Sequence, residues 1–110
     1  MRLKNKREFD NVYRNGSKIV KLNLVVLYLP SDLRFNRLGV VVSGRVGKSV
    51  VRNRIKRLIK EIFRLNRQKL HNNYDIVVIG RKSSARADYI TLEKDMLESF
   101  RSINRGPNKT

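Results

Sequence analysis

The chain holds few side chains able to make or break a bond. Its only histidine, His71, lies in the polar stretch LHNNYD, and cysteine is absent, which removes thiolate nucleophiles, thiolate metal sites and disulfides. The acids are Glu8, Asp10, Asp32, Glu61, Asp75, Asp88, Glu93, Asp95 and Glu98. Glu8 follows Asn5 by three residues, the spacing of a helix capping box, and the others read as ordinary surface charge. Gly47-Lys48-Ser49 sits between a predicted strand and a predicted helix, as a phosphate-binding loop would. The full pattern needs a glycine five positions before Gly47, however, and Val42 stands there. What survives is generic: the helix dipole and the backbone N–H groups at 48–50 favour an anion, with Ser49 as N-cap. If a reaction depends on this chain, its reacting groups belong to something else.

The stronger chemistry is cationic. Across VGKSVVRNRIKRLIKEIFRLNR, residues 46–67, winding at 100° per residue gathers Val51, Ile55, Leu58, Ile62 and Leu65 into one stripe. Arg52, Lys56, Lys60, Arg64 and Arg67 fall on the other side with Asn53 and Arg57. Glu61 is the only acid between Lys48 and Arg67, so repulsion along this face has almost no internal compensation. A helix over 49–67 is roughly 28 Å long, several phosphate spacings of a nucleic acid. Arginine forks grip phosphate bidentately, and asparagine can meet a phosphate or a 2′-hydroxyl.

The formal charge of +17 on 110 residues points the same way, since a compact body so charged repels itself until a polyanion neutralises it. An anionic membrane fits less well. The longest apolar run, Leu24–Leu29, is far short of the ~20 residues that span a bilayer, and the basic helix lacks an interfacial aromatic load. The charged start, MRLKNKREFD, has no apolar core of a secretory signal, and the expected location is the cytoplasm.

The elements that must position this chemistry fit one domain. A short helix should begin after Asn5, carry Phe9, Val12 and Tyr13 on one face, and stop at Gly16. Residues 22–29 read as a strand ending at Pro30, with 19–22 as an alternative short piece before a bend at Asn23; 37–43 read as a second, antiparallel to it across a short loop. After the basic helix come a buried strand at 75–79, a loop of basic and small residues at 81–88, and a last amphipathic helix at 91–103 carrying Leu92, Met96, Phe100 and Ile103. Residues 105–110 read as a mobile basic tail. Phe9, Tyr13 and either Leu27 or Tyr28 can form a platform for unstacked bases, or be ordinary core. Strand alternation lets only one of Leu27 and Tyr28 face that platform.

The string RLGVVVSGRVGKSVVRNRIKRLIKEIF, with Arg52-Asn53-Arg54 opening the basic helix, resembles the signature of the bacterial ribonuclease P protein subunit. The likeness extends to Phe9, Val12, Tyr13 and Gly16, to LVVLY and to YDIVVIGRK. It implies an α+β fold over 1–104, an α-β sandwich with a mixed sheet of about four strands and three helices. It also implies a left-handed βαβ crossover, against the usual right-handed rule. It further implies that a partner ribonuclease P RNA, using magnesium, is the catalyst that removes the 5′ leader from precursor tRNA, with no protein partner. Arg45, Arg52, Asn53, Arg54, Lys56, Arg57 and Lys60 would then hold RNA, joined by Lys48 and Arg64 from the charge pattern. Phe9 and Tyr13, with Leu27 or Tyr28, would line the leader cleft. Gly44 stands where the family often has lysine, which shifts that contact towards Arg45. The competing classes are a small ribosomal or other structural RNA-binding protein, and an autonomous metal-dependent nuclease, which would need clustered carboxylates.

Overall fold

Asn5 starts the fold. Its side-chain oxygen accepts the Glu8 N–H at 3.0 Å while the Glu8 carboxylate accepts the Asn5 N–H, so the capping box forms as expected. Helix α1 (Lys6–Asn15) ends at Gly16, where a Cβ would lie 2.5 Å from the Val12 carbonyl oxygen and 2.8 Å from that of Tyr28. Glycine is what lets the chain leave the helix this close to the sheet. The computed structural model describes residues 2–106.

Strands β1 (Ser17–Val20) and β2 (Leu24–Pro30) form an antiparallel hairpin. Its bend is fixed by buried Asn23, whose backbone N–H and side-chain amide both donate to Asp95, at 3.1 and 3.2 Å. Asp95 is therefore a structural acceptor and not a surface charge. Strand β3 (Arg37–Val41), helix α2 (Ser49–Asn66), strand β4 (Tyr74–Gly80) and helix α3 (Tyr89–Asn104) complete the chain. The sheet order is β1-β2-β4-β3, with β4 antiparallel to β2 and parallel to β3.

The expected direct pairing of β2 with β3 does not occur, although the two run in opposite directions. Ile76, Val77 and Val78 are completely buried, so YDIVVIG needs cover on both faces and both edges, and it takes the centre. The loop at 31–36 has only to cross one strand, about 10 Å, well within its reach.

Three helix details also differ from expectation. Lys48, not Ser49, is the N-cap of α2, and its side chain makes no capping bond. The buried stripe of α2 is Ile55, Ile59, Ile62, Phe63 and Asn66, whereas Leu65 is 46% exposed. Packing against α3 as well as the sheet explains the rotation, since Phe63 meets Phe100 of α3 edge-on at 6.1 Å. Helix α3 starts earlier than its periodicity implied because Asp88, read as surface charge, caps it by accepting the Thr91 N–H at 2.9 Å. The loop before it contains a 3-10 turn, Lys82–Arg86. Gly106 donates to the Ile103 carbonyl at 2.9 Å, so the first residues of the expected tail close α3, and 107–110 lie outside the described residues.

The two faces of the sheet are covered unequally. Leu24, Val26, Tyr28, Leu38, Ile76 and Val78 point to one face and are sealed under α2 and α3. The other face carries Leu27, Val77 and Gly39 in one row, beneath α1, and Val20, Val25, Ile79 and Val41 in the next. Val25, Ile79 and Val41 are half-buried and Val20 is exposed, so this second row forms an open apolar floor beside α1.

Candidate RNA interface

Helix α1 is held over the open face by an ion network. Arg37 donates from Nε and Nη2 to the two Asp75 carboxylate oxygens at 2.8 and 2.7 Å, and from Nη1 to Glu8 Oε2 at 2.7 Å. Asp75 is buried and faces the same side as Arg37, its neighbour in the sheet register. Its reading as surface charge is thus corrected: it opens the central strand and anchors α1 through Arg37. Glu8 also accepts the Lys4 N–H at 2.6 Å. That bond is the main reason its carboxyl sits below the ordinary glutamate value, with the Asn5 N–H and the Arg37 guanidinium adding to it.

This clamp fixes Phe9, the next residue. Its ring lies directly on Gly39, where a Cβ would come within 2.5 Å of ring carbons Cε2 and Cζ. One turn on, Val12 is completely buried in the cluster with Leu27 and Val77, while Tyr13 is 44% exposed. Partial burial, and then the Asp10 carboxylate, raise the Tyr13 phenol above its usual value, so the ring is neutral at physiological pH. Leu27 points to this face beneath α1. Tyr28 does not: it is buried on the opposite face with its ring edge-on to Tyr74 at 5.8 Å. The leader-cleft assignment of Tyr28 is corrected accordingly, and the strand register is what decides it. Leu27 itself is buried under α1, so the open floor beside the helix is made by Val20, Val25, Ile79 and Val41 instead. No single residue of this row stood out in the sequence, because its members come from four strands.

On α2 the cations separate into free and engaged. Arg52, Lys56, Arg57 and Lys60 have no ion-pair partner among the described residues, and Asn53, Arg57 and Lys60 are exposed. Arg45 and Lys48 are exposed in the turn leading into the helix. Arg52 donates to Ser49 Oγ at 3.0 Å and lies against Gly44, where a Cβ would stand 3.6 Å from its Nη1. Two residues behave differently from the expectation of a uniform rail. Arg64 is bonded through two nitrogens to Glu61, at 3.1 and 2.8 Å, which raises the guanidinium value and lowers the carboxyl. Arg54 donates to the Ala87 carbonyl at 2.8 Å and is half-buried. Arg52 and Arg54 leave the helix roughly 200° apart, so the Arg-Asn-Arg triplet is split: one arginine faces the β3 side, the other is a strut to the α3 cap.

The two halves of the site meet at the outer edge of β3. Phe9 and α2's Lys60 and Arg64 line one groove of about 590 Å³, together with Arg2, Lys4 and Arg67. Arg2 and Lys4 were not singled out from sequence, whereas Arg67 was placed on the cationic side of the helix without being assigned an RNA contact. His71 is exposed and contributes only its backbone N–H, to Asn104 at 2.9 Å.

An apolar, aromatic-rimmed cleft beside a helix of unpaired cations defines a small RNA-binding α+β domain. Comparison with known proteins makes this specific. The sequence model of the family described as Ribonuclease P matches residues 1–104. A ribonuclease P protein component from Clostridium kluyveri is 51% identical over 98 residues, covering 86% of this chain and 87% of the relative. One from Caldanaerobacter subterraneus subsp. tengcongensis is 44% identical over 95 residues, covering 86% and 82%. The solved RNase P protein of Thermotoga maritima superposes with a TM-score of 0.84 at 33% identity, covering 93% of this chain and 96% of that one. The RNase P protein of Staphylococcus aureus gives 0.81 at 29% identity, covering 97% of each. The chain belongs to the ribonuclease P protein family, and so is a protein component of the ribonuclease that matures tRNA. Nothing in these comparisons favours a ribosomal protein.

Proposed function

We propose that the open face of the sheet binds the single-stranded 5′ leader of precursor tRNA, while the outward side of α2 grips the partner ribonuclease P RNA beside the cleavage site. The carrying observation is that Phe9 and half-exposed Tyr13 stand on α1 beside the partly open apolar row of Val25, Ile79 and Val41, while Phe9 also lines a groove with the α2 cations Lys60 and Arg64. Stacking on these rings needs no particular base, which suits leaders of varied sequence. Arg52, Asn53, Lys56, Arg57 and Lys60 neutralise the phosphates of two RNAs that would otherwise repel each other.

The chain supplies no reacting group in this reading. Among the described residues no three histidine or acidic side chains converge as metal ligands, and two carboxylates that do come together, Glu8 and Asp75, are already bound to Arg37. That donor set does not fit a magnesium ion, and we assign the metal to the RNA. No helix of the described residues is long and apolar enough to cross a membrane. The location proposed is the cytoplasm, with the RNA substrates.

The test compares precursor tRNA with leaderless tRNA on the assembled ribonucleoprotein. Tighter binding of the precursor, reduced by Phe9→Ala or Tyr13→Ala in a protein that still folds, is the expected result; equal affinities remove the cleft. With about six phosphates neutralised, log affinity should fall against log salt with a slope of roughly −4 for single strands.

A further inference from the structure

The outer edge of β3 carries a second feature that the leader cleft and the outward side of α2 touch only at their margins, through Phe9 on one side and Lys60 and Arg64 on the other. The N-terminal segment lies alongside this edge for one bridge only: Arg2 pairs in parallel with Leu38, and Leu3 donates its N–H to the Leu38 carbonyl at 3.0 Å. Leu3 is buried, so the segment is fixed and not draped. Beyond Leu38 the edge is open, because β3 ends the sheet. Backbone groups alternate along a strand, so Val40 turns its N–H and carbonyl outward as Leu38 does, towards a position where no strand lies. This open stretch is the floor of the groove of about 590 Å³.

The walls are chemically one-sided. Arg2 and Lys4 stand on one side, Lys60, Arg64 and Arg67 on the other, and no acid lines the groove. Of these only Arg64 has a carboxylate partner among the described residues. A volume of this order holds a ligand of about drug size, one or two nucleotides, and is far too small for a duplex. One wall is a direct continuation of the cationic face of α2. We propose that this groove is a separate docking site for an unpaired stretch of the partner ribonuclease P RNA, whose phosphates are held between the N-terminal segment and the last turns of α2, with the outward Val40 peptide groups free to bond it. The proposal rests on the reading of α2 as the surface for that RNA.

The experiment measures binding of the whole protein to ribonuclease P RNA with no substrate present, across a salt series. The double variant Lys4→Ala, Arg67→Ala removes one exposed cation from each wall. Lys94→Ala, Arg101→Ala removes the same charge from the exposed side of α3 and serves as control. Two lost phosphate contacts should make the salt slope shallower by about 1.4, an affinity loss of roughly 25-fold at 0.1 M salt that vanishes near 1 M. The control should lose far less, and the preference for leader-bearing over leaderless tRNA should stay as in the wild type. Unchanged affinity, or an equal loss in the control, would overturn the proposal. So would a loss seen only with leader-bearing substrate, which would give the groove to the leader. If the wild type instead shows no leader preference, the cleft reading fails while this one stands.

Discussion

The two faces of the sheet are made from alternate residues of the same strands, yet one is closed and the other open. On the closed face Ile55, Ile59, Ile62 and Phe63 of α2 and Leu92, Met96 and Phe100 of α3 cover β2 and β4, and only its margin at β3, with Val40, reaches the groove described above. On the open face only the ten-residue α1 is present, seated on Leu27, Val77 and Gly39, and the neighbouring row stays half-exposed. The open face is thus kept apart from the side that carries most of the buried core, while α2 serves both ends, packing inward through Ile55, Ile59, Ile62 and Phe63 and turning its cations outward. The leader surface gains from this division, because the residues that line it need not also hold α2 and α3 to the sheet.

The sharpest way to break that division is from the closed side. Ile59→Ala removes a completely buried side chain between α2 and the sheet and should cost about 3–4 kcal/mol, read as a lower midpoint in urea unfolding. Leader affinity per folded molecule should not change; a selective loss of leader binding would mean that the faces are coupled. Arg37→Met comes next, because Arg37 is the link by which the open face is tied to the strands. Removing it leaves buried Asp75 without its partner, a cost of about 2–3 kcal/mol after allowing for the partial exposure of Arg37. Here both stability and leader affinity should fall, since α1 and Phe9 lose their anchor. Phe9→Ala should act on the open face alone: a loss of about 1–3 kcal/mol in leader binding, measured by precursor affinity of the assembled complex, with a folded circular dichroism spectrum retained. Gly39→Ala sharpens the same point, for its methyl group must displace the Phe9 ring without removing it, and leader affinity should fall between wild type and Phe9→Ala.

What could be read from the chain follows how local each cause is. The capping box of α1, the periodicity of α3 and the polar switch after residue 66 depend on neighbours within one helical turn, and all were legible; the buried stripe of α2 was read only in part, because contact with α3 turns Ile59 and Phe63 inward and leaves Leu65 exposed. The pairing of β2 and β3 was misjudged because a short loop indicates direction and not adjacency; the doubly buried β4, more than thirty residues downstream, settles adjacency. Leu27 and Tyr28 could not be separated because their facing depends on register with β4. Asp75 and Asp95 passed as surface charge for a related reason: each acts on a partner that the fold brings to it, Arg37 and the bend at Asn23. The one clue was positional, since an acid at the head of an apolar strand cannot stay unpaired once that strand is buried. Asp88 is different, since its partner Thr91 is only three residues on and the cap was a local signal passed over. Within the site, the side of α2 on which the cations fall was legible, but the engagement of Arg64 by Glu61 was not drawn from their spacing, and the diversion of Arg54 to the Ala87 carbonyl was not legible because backbone acceptors leave no mark in a sequence.

The smallest expected effect probes the clamp without removing any bulk. Glu8 has its carboxyl value lowered by the Lys4 N–H first and by the Asn5 N–H and Arg37 besides, so folding favours its ionised form. A carboxyl with a lowered folded-state value contributes stability that is fully present above its unfolded value, near 4.5, and that is lost as pH falls through the folded value. The open face should therefore loosen on acidification below about pH 4.5 while the closed face keeps its packing. Glu8→Gln retains a capping side chain but has no charge to titrate. Urea midpoints of wild type and variant should differ at pH 6 and converge as the pH is lowered. Parallel curves over that range would show that Glu8 holds α1 by shape alone, and the electrostatic link between α1 and the sheet would then reduce to Arg37 and Asp75.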